Sequence, residues 1–450
     1  MRRKLYDTLL KWKKTSAGRS AILIDGARRV GKSYIAREFG ENEYKTFVLI
    51  DFSRAAQAIK DFFLNDLEDL DQFFLKISEY YGIRLYPRET LFIFDEVQAF
   101  PRAREAIKAL VEDGRFDYIE TGSLISINRN VRDIVIPSEE DRVKMHPMDF
   151  EEFLWAKGDS VRMDFVREHF KEMKPCGESF HRKMMDAFRE HMVVGGMPQA
   201  VETFVRTGDI GAVDAVKRRI LNLYREDIDK YAGRQALKTK LVFDGIPSQL
   251  SKHERTFRLS ALNRNARLRE YEEAFLWLEE SRTINTCYRS TEPNVGLNLN
   301  AERSAVKCYA ADTGLLVSQA FDERELVSEQ IHRRLLFDAI ELNKGMFVEN
   351  VVAQMLKAAG HNLFFYSKTE ASNRSERMEI DFLITRSEVG RRRNICPVEV
   401  KSARSYGHES LNRFCVKYRD YLGTPFVLHP KDLQAKGGVT YLPLYMTPCL

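Results

Sequence analysis

Short apolar runs, each closed by small or acidic residues, recur through the first third of the chain. Ala21-Ile22-Leu23-Ile24 ends at Asp25, and Thr46-Phe47-Val48-Leu49-Ile50 ends at Asp51. Leu91-Phe92-Ile93-Phe94 ends at Asp95-Glu96, and Phe116-Asp117-Tyr118-Ile119-Glu120 ends at Thr121-Gly122-Ser123. Runs that are apolar at consecutive positions, not alternate ones, belong to strands buried on both faces. Helical spacing fills the intervals, at residues 34–39, 67–81 and 103–110, and Leu5, Leu9 and Trp12 predict a helix ahead of them. Strands alternating with helices of this length predict an α/β fold, a parallel sheet with helices on both faces.

Beyond Met148 the period becomes helical to about residue 231, broken by a turn at Gly195-Gly196-Met197-Pro198. Ser260 is placed to cap a further helix, and Tyr271, Phe275 and Leu278 fall at i, i+4 and i+7. Two strand-like runs, 284–289 and 306–310, follow with Pro293 and Gly296 between them. Helices followed by a hairpin suit a winged helix. A helical domain whose hairpin only packs between its neighbours suits the same pattern, and both readings stand. From Met346 a helix (346–359) leads to strands at 363–366, 378–385 and 394–401, with a polar loop at 368–377 and the basic Arg391-Arg392-Arg393 between them. Pro425-Phe426-Val427-Leu428 and Thr440-Tyr441-Leu442-Pro443 read as edge strands completing a small α/β domain.

A chain of 450 residues exceeds one hydrophobic core. The pattern divides it at 1–147, 148–235, 236–335 and 336–450. An apolar fraction of 44% with 30% charged residues is that of an ordinary globular protein. The net charge of +5 excludes a polycation, so a nucleic-acid surface would need local clustering of basic residues. The six cysteines are scattered without a C-x-x-C pair, which argues against a zinc site or a disulfide framework and for a reducing, cytoplasmic setting. No signal-like apolar stretch follows Met1-Arg2-Arg3-Lys4, and no run approaches a membrane span, so no membrane partner is expected.

Chemistry enters at Gly26-Ala27-Arg28-Arg29-Val30-Gly31-Lys32-Ser33, which fits G-x-x-x-x-G-K-[ST] between a strand and a helix that starts near Tyr34. Such a loop cradles the phosphates of ATP or ADP on backbone N–H groups and a helix N-terminus. Lys32 would bridge the β- and γ-phosphates and Ser33 would place its hydroxyl on Mg²⁺. Asp95, at the end of its strand, would hold the same ion, and Glu96 would activate the attacking water. Ser123 is a candidate for a contact to the γ-phosphate or that water, with a helix cap as the other reading. Arg28 and Arg29 read equally well as solvated side chains. Arg142 is the candidate for an arginine supplied to a neighbouring copy in a homo-oligomer.

A second constellation is Asp381, in Met378-Glu379-Ile380-Asp381, with Glu399 and Lys401 in Pro397-Val398-Glu399-Val400-Lys401. Alternation puts Glu399 and Lys401 on one face of a strand. Two carboxylates and an ammonium suit metal-assisted phosphodiester hydrolysis, the acids holding Mg²⁺, and Glu349 on the preceding helix could add a carboxylate. A surface Glu/Lys pair on amphipathic strands is the other reading. DNA or RNA is a candidate partner of this half, through Arg391-Arg392-Arg393 and Arg404.

These motifs resemble the bacterial and archaeal AAA-like P-loop ATPases that carry a C-terminal domain of unknown function. The resemblance extends to Leu91-Phe92-Ile93-Phe94-Asp95-Glu96-Val97-Gln98, Thr121-Gly122-Ser123, His146-Pro147-Met148-Asp149-Phe150-Glu151-Glu152-Phe153-Leu154, Gly195-Gly196-Met197-Pro198, the segment from Lys307 through Asp312-Thr313-Gly314 to Leu316, and Pro397-Val398-Glu399-Val400-Lys401. It implies a P-loop NTPase domain, a helical and winged-helix-like middle, and an end similar to the PD-(D/E)xK restriction-endonuclease fold. Ile380 stands where that nuclease signature often has Pro. The function implied is a Mg-dependent ATPase that couples nucleotide state to its C-terminal half. An ATP-switched nuclease and an ATPase with an inactive C-terminal binding module are the alternatives.

Overall fold

The computed structural model describes residues 1–122, 137–252, 256–259, 268–294, 296–321, 344–368, 377–386 and 394–450. Ser123, Ser260 and Arg391-Arg392-Arg393 lie outside the described residues. Contacts divide the chain into two units, Met1–His146 and Pro147–Leu450.

In the first unit, β1 (Ala21–Gly26), β2 (Thr46–Asp51), β3 (Thr90–Asp95), β4 (Asp117–Gly122) and β5 (Glu140–Met145) form one sheet in the order β2-β3-β4-β1-β5. Every pairing in it is parallel. The consecutive apolar residues sort by parity, as a period of two requires. Ile22, Ile24, Leu91, Ile93 and Ile119 face α1 (Lys4–Ser16) and α2 (Lys32–Glu43), meeting Leu9, Trp12, Ile35 and Phe39. Ala21, Leu23, Phe92, Phe94 and Tyr118 face the other way, toward α3 (Gln57–Asn65), α4 (Leu70–Tyr81) and α5 (Pro101–Asp113). That second face is aromatic: Phe63 packs edge-on against Phe52, Phe73 and Phe94 at 5.0–5.5 Å between ring centres.

Two elements here have no counterpart in the expected pattern. Helix α3 precedes α4 where one helix was expected from residue 67. Strand β5, Glu140-Asp141-Arg142-Val143-Lys144-Met145, is nearly all charged and sits at the sheet edge beside β1. Charge is how edge strands avoid further pairing, and it hides them from a hydrophobicity scan. Its Glu140 takes a bidentate pair from the buried Arg104 of α5, at 2.9 and 3.1 Å. Burial, then the nearby Glu140 carboxylate, pushes the Glu120 carboxyl of β4 well above its usual range.

The second unit begins with helices α6 (Phe150–Ala156), α7 (Arg162–Glu172), α8 (Glu178–Val194), α9 (Pro198–Thr207), α10 (Ile210–Tyr231), α11 (Ala236–Ser251) and α12 (Glu272–Glu280). Strands β6 (Ile284–Ser290) and β7 (Ala301–Ala310) form a hairpin before α13 (Thr313–Ala320) and α14 (Lys344–Ala358). Then come β8 (Phe364–Lys368), β9 (Met378–Thr385), β10 (Ile395–Val400), α15 (Glu409–Lys417), β11 (Phe426–His429), β12 (Gln434–Lys436) and β13 (Val439–Pro443). All eight strands form one mixed sheet, β12-β13-β11-β10-β9-β8-β6-β7. The hairpin expected as the wing of a separate middle module is part of this sheet, because β6 pairs with β8. The expected division between residues 335 and 336 therefore runs between elements that share a sheet. Strand β11, expected at an edge, lies inside, between β10 and β13.

The turn Gly195-Gly196 and the segment Asp312-Thr313-Gly314 meet backbone to backbone. A Cβ on Gly196 would lie 2.1 Å from the Met148 oxygen, and one on Gly314 would lie 2.5 Å from Gly195 Cα. The buried Asp312 carboxylate accepts from Gly196 N at 2.5 Å and caps α13 by accepting from Leu315 N at 2.8 Å. Asp312→Ala removes a cap and strands a buried N–H, so it should cost about 2–4 kcal/mol. Urea unfolding followed through the second unit measures this. A loss below about 1 kcal/mol would mean that the two segments hold together without the carboxylate.

Candidate nucleotide site and a second carboxylate pocket

The loop between β1 and α2 curls through left-handed residues at Arg29 (φ 67°) and Gly31 (φ 101°). Only glycine takes such a conformation without cost, and Arg29 therefore carries local strain. Ala27 and Val30 sink into the core, which anchors the loop, whereas Arg28, Arg29, Ser33 and Tyr34 are exposed. Lys32 is buried, and its ammonium donates to the Gly26 and Ala27 carbonyl oxygens at 2.9 and 3.0 Å. Burial pushes that ammonium below its usual range, and the Glu96, Asp25 and Asp95 carboxylates counter the shift.

Strand β4 lies between β1 and β3, yet the ends of all three converge on one carboxylate. Asp95 Oδ1 accepts from the Ser33 hydroxyl at 2.8 Å and also from the Thr121 hydroxyl. Ser33 and Asp95 offer hard oxygen donors side by side, a set that fits Mg²⁺ carrying its own waters. Thr121, at the end of β4, was missed as a site residue. Glu96 follows in a left-handed conformation (φ 52°), and its carboxylate accepts from the Gln98 amide. Arg142 stands elsewhere: it faces Leu23 in the middle of β5 and pairs with Glu140 at 2.7 Å.

In the second unit, Glu349, Asp381, Glu399 and Lys401 line a single pocket of about 350 Å³, together with Lys307 and Glu379. The Lys401 ammonium lies 3.2 Å from Glu399 Oε1, so the predicted pair does share a face. Glu399 is buried, and its Oε2 has no hydrogen-bond partner. Burial raises the Glu399 carboxyl above its usual range, against the pull of Lys401. Asp381 Oδ2 accepts from Val400 N at 2.8 Å. Burial, and then the Glu349 charge, lifts the Asp381 carboxyl to about 7.

Lys307 was not among the expected site residues. It comes from β7, the far edge of the sheet, with its ammonium 3.2 Å from Glu349 and 3.9 Å from Glu379. Tyr309, two residues on, donates to the same Glu349 oxygen at 2.6 Å. Burial lowers the Lys307 ammonium, but the Glu349, Asp381 and Glu379 carboxylates outweigh it and hold the group charged. Among the described residues, no three His, Cys, Asp or Glu side chains are grouped to hold a metal ion. The only signal for Lys307 in the sequence was a lysine inside the run 306–310, whose other residues are apolar.

A parallel sheet with β4 between the loop strand and the acidic strand, and a G-x-x-x-x-G-K-[ST] loop after the carboxyl end of β1, defines a P-loop nucleotide-binding domain. Residues 18–154 match the family model of an AAA domain, which makes the first unit AAA-like. Residues 185–325 and 344–446 match two domains of unknown function, DUF8612 and DUF4143. No curated protein matches the chain. Among solved structures, the chain is similar to the Walker-type ATPase PABY2304 of Pyrococcus abyssi, at 15% identity over 71% of this chain and 95% of that one, with a TM-score of 0.39. It is also similar to Aeropyrum pernix ORC1 in complex with DNA (11% identity, 73% and 95% covered, TM-score 0.28). AMPPCP-bound DnaA from Aquifex aeolicus matches at 12% identity, 62% and 86% covered, with a TM-score of 0.23. No described helix is long and apolar enough to cross a membrane.

Removing Lys307 leaves the partly buried Glu349 and Asp381 carboxyls without their buried counter-ion. Lys307→Ala should destabilise the second unit by about 3–5 kcal/mol at pH 7. Lys401→Ala should cost less, because its side chain is 22% exposed. Denaturant titration of both variants decides the order, and equal losses would remove Lys307 from its central place.

Proposed function

We propose that this protein is an ATPase that binds Mg·ATP in the loop from Gly26 to Ser33 and uses its turnover to change the state of its C-terminal half. The observation that carries the reading is the Ser33 hydroxyl 2.8 Å from the Asp95 carboxylate, with the Lys32 ammonium inside the same loop. Lys32 swings from the loop carbonyls to the β- and γ-phosphate oxygens, exchanging neutral acceptors for charged ones. Ser33 and Asp95 would hold Mg²⁺, which would supply positive charge against that developing on the phosphates. Glu96 takes the proton from the attacking water, and Gln98 holds the Glu96 carboxylate by a hydrogen bond. A neighbouring copy of the chain supplies the arginine that completes the site.

Lys32→Ala should weaken ATP binding by at least about tenfold, the value of one charged hydrogen bond. Glu96→Gln should bind ATP normally and turn over about 10²–10⁴-fold more slowly. Equilibrium binding and phosphate release on the two variants separate these roles. Wild-type turnover by Glu96→Gln would remove Glu96 as the base.

For the C-terminal half, Lys307 among the carboxylates favours a binding module whose charge is balanced from within. The second reading, an ATP-switched nuclease, is favoured by the buried, unpartnered Glu399 Oε2 in the pocket. On that reading, Mn²⁺-dependent cleavage of DNA or RNA by the full chain is lost in Glu399→Gln. Absence of any cleavage with Mg²⁺ or Mn²⁺ leaves the binding module.

A further inference from the structure

A second pocket in the Pro147–Leu450 unit has a different character from the carboxylate pocket. It encloses about 380 Å³ and is lined by Arg182 and Arg189 of α8, Arg404 after β10, and Lys431 after β11. Strands β10 and β11 are parallel, and their carboxyl ends, Val400 and His429, both open toward it through the loops carrying Arg404 and Lys431. A crevice outside the carboxyl ends of adjacent parallel strands is where α/β sheets place ligands.

Basic side chains outnumber acids in this pocket, four to two. Arg182 and Arg189 lie seven positions apart on α8, two turns along one helical face. Among the described residues Arg182, Arg404 and Lys431 form no hydrogen bond or ion pair, whereas Arg189 donates to Asp186 at 2.8 Å. Two acids also line the pocket, Glu178 and Asp432. The Asp432 carboxylate is already committed to backbone donors, accepting from Cys176 N at 3.1 Å, Gly177 N at 2.8 Å and Leu433 N at 2.8 Å. Lys344, at the start of α14, feels the same field: burial, then the Arg189 and Arg404 guanidinium groups, lowers its ammonium. Cations gathered this way repel one another unless an anion is shared between them.

We infer that this pocket binds a ligand bearing phosphate groups, held by Arg182, Arg404 and Lys431, at a site separate from the ATP loop of the first unit. Guanidinium forks fit phosphate oxygens two at a time, and the volume holds several phosphates in a row. A free polyphosphate and the backbone of a nucleic-acid strand present the same chemistry.

The test uses the full chain carrying Lys32→Ala, so that the loop of the first unit contributes little. Inorganic tripolyphosphate is titrated calorimetrically, and a short labelled single-stranded oligonucleotide by anisotropy, both at low salt. Arg182→Ala and Arg404→Ala should each weaken binding by at least about tenfold. Arg404→Lys, which keeps the charge but loses the fork, should fall between Arg404→Ala and the parent. If the polymer is the ligand, the oligonucleotide binds and its log–log salt slope drops by about one for each arginine removed. Binding of tripolyphosphate alone, with the same arginine dependence, assigns the site to a free polyphosphate. No binding of either probe, or binding unchanged in the Arg182→Ala/Arg404→Ala double variant with an unaltered melting curve, overturns the proposal. ATP affinity of the chain with Lys32 restored is measured alongside, so a failure here is distinguishable from a failure of the ATP site.

Discussion

The Asp95 carboxylate is the point on which the first unit turns. It accepts hydroxyl hydrogen bonds from Ser33 on the loop after β1 and from Thr121 at the end of β4. One hydroxyl stands at the start of α2, just past β1, and the other at the end of β4, so their convergence on β3 depends on β4 lying between β1 and β3. That order depends in turn on a sheet buried on both faces, with aliphatic side chains on one side and a cluster of phenylalanines on the other. A one-residue slip in any strand would exchange the two faces and turn the end groups away from each other. The packing that stabilises the unit thereby sets the geometry of its site.

The second unit meets a different constraint, since it buries ionisable groups in quantity. Four carboxylates line one pocket, and each buried charge needs a partner or must neutralise. Lys307 and Lys401 supply those partners from opposite parts of the sheet, β7 and the end of β10. Asp312 is handled in another way, with backbone N–H groups of Gly196 and Leu315 in place of a cation. Asp312 and Gly196 are 116 positions apart and Lys307 and Glu349 are 42 apart, so distant segments must be in register before these polar groups are satisfied. The pocket beside α8 differs, because its Arg182 and Arg404 pair with no acid among the described residues.

Much of this was legible along the chain because it rests on local rules. The apolar runs at residues 21–24 and 91–94 declared buried parallel strands, and the spacing of Gly26, Gly31, Lys32 and Ser33 declared the phosphate loop. Alternation was enough to place Glu399 and Lys401 on one face, where they pair. What stayed hidden was carried by long-range contact. Strand β5 gives no apolar signal, and its Glu140 gains a buried partner only when Arg104 reaches it. The β6–β7 hairpin reads equally well as a wing until β8 pairs with it. Lys307 reads as one more surface lysine until the hairpin carries it to Glu349. Periodicity and loop chemistry fix which segments become strands, helices and turns, because those depend on neighbours within a few residues. Which strands lie side by side, and so which charges meet, is decided only when the core closes, because burial and Coulomb energy act on distances in space and not along the chain.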